Sequence, residues 1–364
     1  MATESKPSID YNNTIIQIPL FCAMKLYWLT LPILLVGCQS QSNDLDVTSE
    51  TLSKKQVKTI VDNINTLYPD ASKDLKEKAA DVVVRAVENL VYVKGGTFDM
   101  GDFKTNCNIP SKTFTRMDWS PDASCLASPA SVANGAQHLH KVTLDSYSIS
   151  KYMTSFGDME WMRKINQLPV ALYAFHEKRQ VKRSDPDYQD RVDHKSNRPA
   201  STKSWQEAKD YCLWLRKIST INFDLPTEAQ WEYAARSRGK HVYYATNTGY
   251  RQVREGSYYD PKTKKYVEYT DNEVNASLSI ENIGIYPPNP LGLYDMTSVN
   301  RQWVNDWYSK DYYLHSPIKN PQGPEKGAQK IVRSGRAVRV FGRGGQDPQL
   351  KHHSISDSFR CAAN

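Results

Sequence analysis

At Leu90 the hydrophobic rhythm of this chain changes, and no single regular architecture accommodates both sides of the change. Before it, Val57, Ile60, Val61 and Ile64 recur at helical spacing, and Thr51 or Ser53 is placed to cap that helix. Tyr68-Pro69-Asp70 breaks the pattern, because proline has no N–H to give to a helix. Ser72 opens a second helix with Leu75, Ala79, Val82, Val83, Ala86, Val87 and Leu90 on one face. Both stripes are too short for sustained heptads, so residues 51–90 are expected to form a helical hairpin that docks its apolar face elsewhere. After Leu90 the pattern is short strands and turns. Only two helical stretches remain, Trp205 to Ile218 and one around Glu228 to Arg236. There is no internal repeat and no low-complexity tract.

The amino-terminal region carries a different kind of signal. Met24-Lys25 gives a positive start and Leu26 to Val36 an apolar run. The run is shorter than the roughly 20 residues that cross a bilayer. Leu35-Val36-Gly37-Cys38 closes it with a small residue before a cysteine, the layout of a secretory signal peptide. Those four residues resemble a bacterial lipobox, in which the cysteine is acylated and the peptide is cut just before it. Residues 24–37 are therefore read as a lipoprotein signal, with lipidation at Cys38. Residues 1–23 are polar and mixed, and are read as an over-extended start, with Met24 the expected one. Gln39, rather than aspartate, follows the cysteine and resembles the outer-membrane sorting choice of enterobacterial lipoproteins. The expected location is the periplasmic side of a bacterial outer membrane. Residues 38–50, mostly Gln, Ser, Asn and Asp, read as a flexible tether.

Charge and cysteine content narrow the class further. A net charge of +7 is modest for this length and favours anionic membrane surfaces or acidic partners. No basic helix, zinc knuckle or aromatic-basic RNA motif occurs, so nucleic acid is not an expected partner. Tyrosine (22) and tryptophan (8) are abundant, which suits a loop-rich fold with an adhesive surface. Beyond Cys38, the mature chain holds Cys107, Cys125, Cys212 and Cys361. In an oxidising compartment this even set reads as two disulfides, with three pairings open.

Several blocks stand in a telling order. Val91-Tyr92-Val93-Lys94-Gly95-Gly96-Thr97-Phe98-Asp99-Met100-Gly101 comes first. Ser204-Trp205, Ala208, Tyr211-Cys212 and Trp214-Leu215 follow. Then come Leu225-Pro226-Thr227-Glu228-Ala229-Gln230-Trp231-Glu232-Tyr233-Ala234-Ala235-Arg236 and Asn289-Pro290-Leu291-Gly292-Leu293-Tyr294-Asp295-Met296. Trp303-Val304-Asn305-Asp306-Trp307-Tyr308 and Phe359-Arg360-Cys361-Ala362 complete the series. Together they resemble the formylglycine-generating enzyme, or sulfatase-modifying factor, family. The resemblance implies that residues 91–364 adopt a C-type-lectin-like α+β fold with little regular secondary structure, preceded by the helical hairpin. It also implies that the signature helix and the terminal strand meet, pairing Cys212 with Cys361 and leaving Cys107–Cys125 to close a surface loop. Read physically, the blocks are mainly structural. Pro226 suits a helix entry, Thr227 a cap and Glu228 the positive helix end. Asn289 to Gly292 is a turn, expected to position a strand at Tyr294.

The chemistry of the family is where the residues depart. Members oxidise a substrate cysteine with copper held by two thiolates, soft ligands suited to Cu(I). Those thiolates lie within and after an Arg-Gly-Gly-Ser-Trp segment, matched here by Arg333-Ser334-Gly335-Arg336-Ala337. No cysteine occurs between Cys212 and Cys361, so the copper pair is absent. The family's calcium loop, usually Ser-Gly-Asn-Val-Trp-Glu-Trp, is matched by Thr297-Ser298-Val299-Asn300-Arg301-Gln302-Trp303. There Val299 replaces the asparagine, Gln302 the glutamate, and Arg301 adds a positive charge. Related sulfoxide synthases bind iron through three histidines in a helical domain, but no histidine occurs between residues 39 and 137. His138 with His140, and His352-His353, read as strand edge or turn, since no third ligand accompanies either. There is no Gly-x-Ser-x-Gly elbow and no cysteine with an evident histidine partner. No catalytic residue, metal site or cofactor is therefore expected.

Arg333, Arg336, Arg339 and Arg343 occupy this segment beside Gly342, Gly344 and Gly345. Arg336, Arg339 and Arg343 read as a cationic patch for an acidic partner or anionic headgroups. The expected function is a catalytically inactive lipoprotein that binds another protein through this patch and through loops at 102–137 and 237–282. Lipoproteins with this domain resemble immunity or accessory proteins beside type VI secretion effectors, lipases among them. The competing expectation is a nonheme metal-dependent oxidoreductase modifying a periplasmic protein or peptide.

Overall fold

The computed structural model describes residues 45–103, 129–171, 182–247, 256–260, 265–269, 282–298, 300–335, 339–349 and 357–364. Two antiparallel helices come first, α1 (Lys54–Leu67) and α2 (Lys73–Glu88). Ser53 caps α1 by accepting from the Gln56 N–H, while the Gln56 side chain returns to the Ser53 N–H. Ser72 caps α2 by accepting from the Leu75 N–H. The chain then runs through β1 (Leu90–Val93), β2 (Gly96–Met100), α3 (Pro129–Asn134), β3 (His140–Leu144) and β4 (Tyr147–Ser150). Next come α4 (Phe156–Ile165), α5 (Tyr188–Lys195), α6 (Trp205–Ser219), β5 (Phe223–Asp224) and α7 (Glu228–Ala235). The last part holds β6 (Gly256–Asp260), β7 (Lys265–Tyr269), β8 (Arg301–Trp307), β9 (Lys330–Ser334), β10 (Arg343–Gln346), β11 (Asp357–Phe359) and β12 (Ala362–Ala363).

The hairpin docks as its apolar stripes require. Ile60 and Ile64 of α1 and Ala79, Val82 and Val83 of α2 are buried in one cluster with Met159, Met162, Tyr211 and Leu215. Each aliphatic side chain fully buried there stabilises by about 1.5–3 kcal/mol. Polar contacts set the register: Trp214 Nε1 donates to Tyr68 Oη at 2.8 Å, and the Tyr68 hydroxyl donates to Asn166 Oδ1 at 2.9 Å. The remaining architecture is α+β with short strands. One sheet has the order β1-β4-β12-β5, and a second the order β10-β9-β8-β11. The pairs β2-β3 and β6-β7 stand apart as two-stranded sheets. All of α7 is buried, including Glu228 and Glu232, which lie one turn apart on it.

Cys212 on α6 is bonded to Cys361, just before β12, with a Cα–Cα distance of 5.7 Å. The body holds more helix than the sequence pattern indicates. Helix α4 starts at a Ser155 cap but carries Gly157 in its first turn, α5 is almost entirely polar, and α3 is only six residues long. Helix α3 and strands β6 and β7 lie inside the stretches expected to be loops. Tyr294 is not in a strand. The Asn289 carboxamide oxygen accepts from the Leu291 and Leu293 N–H groups, irregular backbone continues beyond, and β8 starts only at Arg301. The leader, Cys38, Cys107, Cys125, Arg336 and His352-His353 lie outside the described residues.

Candidate functional site

Strand β9 is the middle of its sheet, between β8 and β10, and all five of its residues are buried. It ends at Arg333 and Ser334, where the family's catalytic segment would begin. Arg333 does not face water. Its Nη1 donates to Glu228 Oε1 and its Nη2 to Glu232 Oε2, both at 2.9 Å, and Nη2 also donates to the Val340 carbonyl. Arg343 reaches the same place from β10. Its Nε and Nη2 donate to the two oxygens of Glu228 at 2.7 and 2.8 Å, a bidentate pair. Arg236 completes the group by donating from Nη1 to Glu232 Oε1 at 2.8 Å. Two glutamates one turn apart on α7 thus hold three arginines inside the protein.

This corrects the place of Arg343 in the expected cationic patch. Arg343 is only 4% exposed, because its charge is spent on Glu228. Arg339 is half-buried, with its guanidinium 5.8 Å from the ring centres of both Tyr243 and Phe341. Arg333 and Arg343 belong to a core ion-pair network, and the pairing leaves a mark on titration. Burial alone would raise the Glu228 carboxyl, but the charges of Arg343 and Arg333 hold it below its usual range. The signal was present in sequence as the Glu228, Glu232, Arg236 spacing on one helix.

Asp306 on β8 is the acid this network leaves without an arginine. It accepts from the Glu228 N–H at 2.8 Å, and burial, then the Glu228 charge, push it up to about 7. A folded value above the unfolded 3.8 means the folded protein holds that proton more tightly. This group therefore erodes stability as pH rises from about 4 to about 7. Asp306→Asn keeps the acceptor and removes the charge. It is expected to flatten the stability profile across that window and to raise Tm above wild type at pH 8. Parallel thermal melts across the pH range check this.

The residues present do not fit the family's copper. Ser334 sits in the left-handed region (φ +66°), with its hydroxyl donating to the Ser298 carbonyl and accepting from the Ser298 N–H. Arg336, Ala337 and Val338 follow Gly335 and none is a sulfur ligand. The two described cysteines are bonded to each other. Calcium fits no better, since it takes about six to eight oxygen ligands. Gln302 Oε1 already accepts from Trp231 Nε1 and Arg360 Nε. Arg301 is held by both oxygens of Asp357, which neutralises the charge it brings to the loop. The Asn300 carboxamide oxygen is buried without a partner, one ligand where several are needed. His140 rests on Tyr313 (ring centres 4.4 Å apart) with Nδ1 hydrogen-bonded to the His138 carbonyl and Nε2 buried without a partner, while His138 Nε2 is hydrogen-bonded to Gln137 Nε2. Among the described residues no three His, Cys, Asp or Glu side chains are grouped to hold a metal ion.

The profile of the sulfatase-modifying factor enzyme 1-like domain matches residues 76–364. The formylglycine-generating enzyme of Streptomyces coelicolor is 30% identical over 175 residues, which is 46% of this chain and 52% of that protein. The inactive C-alpha-formylglycine-generating enzyme 2 of Bos taurus is 28% identical over 170 residues, 45% of this chain and 50% of that one. The chain thus spans about half the length of the curated relatives it matches. Among solved structures, PvdO from Pseudomonas aeruginosa is 21% identical with a TM-score of 0.49, over 76% of this chain and 94% of that one.

Proposed function

The chain belongs to the sulfatase-modifying factor family, and from that premise we propose that it is a catalytically silent member that binds another protein. One observation carries the reading: the sequence has no cysteine between Cys212 and Cys361, and those two are spent on each other in the core. Thiolates are the ligands the family's copper chemistry requires. The buried charges of this region, Arg333, Arg343, Glu228 and Glu232, are paired with one another. A relative whose name calls it inactive gives catalytic silence a precedent in the family. With Arg343 internal, the proposed contact surface is the stretches at 102–137 and 237–282, together with Arg336 and the exposed part of Arg339.

Cys38 is the proposed lipid attachment, holding the protein at the periplasmic face of the outer membrane. A secreted effector such as a type VI lipase is the proposed partner, with this chain as its immunity or accessory protein. Fatty-acid labelling is expected to mark the wild type, whereas Cys38→Ser stays unlabelled and leaves the membrane fraction; labelling that persists in the variant contradicts the anchor. Detergent-extracted protein tests the binding. Metal-free protein that co-purifies with an effector encoded beside it supports the reading. Stoichiometric iron or copper without such a partner overturns it in favour of a metal-dependent oxidoreductase.

A further inference from the structure

A cavity of about 400 Å³ opens where the hairpin meets the body. That volume lies in the range of small-molecule sites, about 300–1,000 Å³. Its walls come from the end of α2 (Arg85, Asn89), the start of α4 (Asp158, Trp161), α6 (Tyr211) and the segment after β4 (Tyr152). Arg85 Nη2 donates to Asp158 Oδ1 at 2.7 Å, with side chains 48% and 28% exposed, so both are reachable from water. This contact uses one guanidinium N–H and one carboxylate oxygen. Neither side chain makes another hydrogen bond among the described residues. A donor edge and an acceptor oxygen therefore remain unspent, side by side.

Two further polar groups are idle in the same walls. Tyr211 is 3% exposed, yet its hydroxyl takes no hydrogen bond among the described residues, and the Asn89 carboxamide is likewise without one. A hydroxyl beside Arg85 and Asp158 with no hydrogen bond of its own is available to a ligand atom in the cavity. The aromatic walls are fixed from behind. Lys164 Nζ lies 4.8 Å from the Trp161 ring centre, and Tyr152 packs tilted against Tyr294 with ring centres 4.9 Å apart. A plain anion would meet the Asp158 charge and a plain cation the Arg85 charge. A molecule carrying both charges satisfies both free edges without breaking the pair.

We propose that this cavity binds a zwitterion of amino-acid or dipeptide size, with its carboxylate on Arg85, its ammonium on Asp158 and an apolar side chain against Trp161 and Tyr152. The site is separate from the protein-binding surface and stands or falls independently of it. Isothermal titration calorimetry on the full chain in detergent tests it, with L-phenylalanine and alanyl-phenylalanine as probes. At least one probe is expected to bind saturably. Acetylating its amine or amidating its carboxyl is expected to weaken binding about tenfold or more, since each cap removes a charge-assisted hydrogen bond. Arg85→Gln and Asp158→Asn are expected to do the same, and Tyr211→Phe to weaken it by about threefold. If a variant melts early, the capped probes still decide, because they use the unaltered protein. No saturation with either probe, or equal binding of free and capped forms, overturns the proposal.

Discussion

Replacing Glu228 by Gln is expected to destabilise the protein by about 3–5 kcal/mol, the scale for removing one partner of a buried ion pair. Both carboxylate oxygens accept from Arg343, and one also accepts from Arg333. The glutamine would leave two guanidinium groups, 0% and 4% exposed as residues, with a single remaining carboxylate on Glu232. Arg343→Ala should cost a similar amount from the other side. The exposed Lys58–Asp62 pair on α1 provides the contrast, because such pairs contribute about 0–1 kcal/mol. The pH dependence has a defined sign. Glu228 has a folded value below its ordinary 4.5, so its contribution is fully present above that pH and is lost as pH falls through the folded value. Urea unfolding at pH 7 measures the loss. A change below about 1 kcal/mol would mean the network is not structural.

Loss of the Cys212–Cys361 bond is expected to have an effect of the same order. The cross-link closes a sequence separation of 149 residues, for which the chain-entropy argument gives roughly 4–5 kcal/mol as an upper estimate. Removing both sulfurs should also loosen α6 from the β1-β4-β12-β5 sheet, since Cys361 precedes β12 directly. Non-reducing peptide mapping is expected to recover the two cysteines in one species, with the double alanine variant melting well below wild type. Cys107 joined to Cys361 in that map would contradict the pairing.

The parts of this fold that could be read from the chain are those governed by local periodicity or by long motif blocks. The hairpin is legible because Ile60, Ile64, Ala79, Val82 and Val83 repeat at helical spacing and Ser53 and Ser72 are ordinary caps. Short helices are hidden for local reasons, since Gly157 weakens the first turn of α4 and α5 has almost no apolar face. The site is hidden in the sequence for a non-local reason. Arginines among glycines look like a solvated loop, but Arg333 and Arg343 meet Glu228 across 105 and 115 residues. The same holds for Arg301, whose charge looks foreign in its loop until Asp357 arrives 56 residues later. Charge pairing at that separation is invisible to any short window, whereas the missing cysteines are plain in the sequence.

The central claim is catalytic silence, and a copper-loading assay on a sulfatase-type cysteine peptide tests it most directly. With no thiolate pair to hold Cu(I), the protein should leave the peptide cysteine intact at any copper level, while an active formylglycine-generating enzyme run alongside converts it. A copper-dependent aldehyde product from this chain would contradict the account outright.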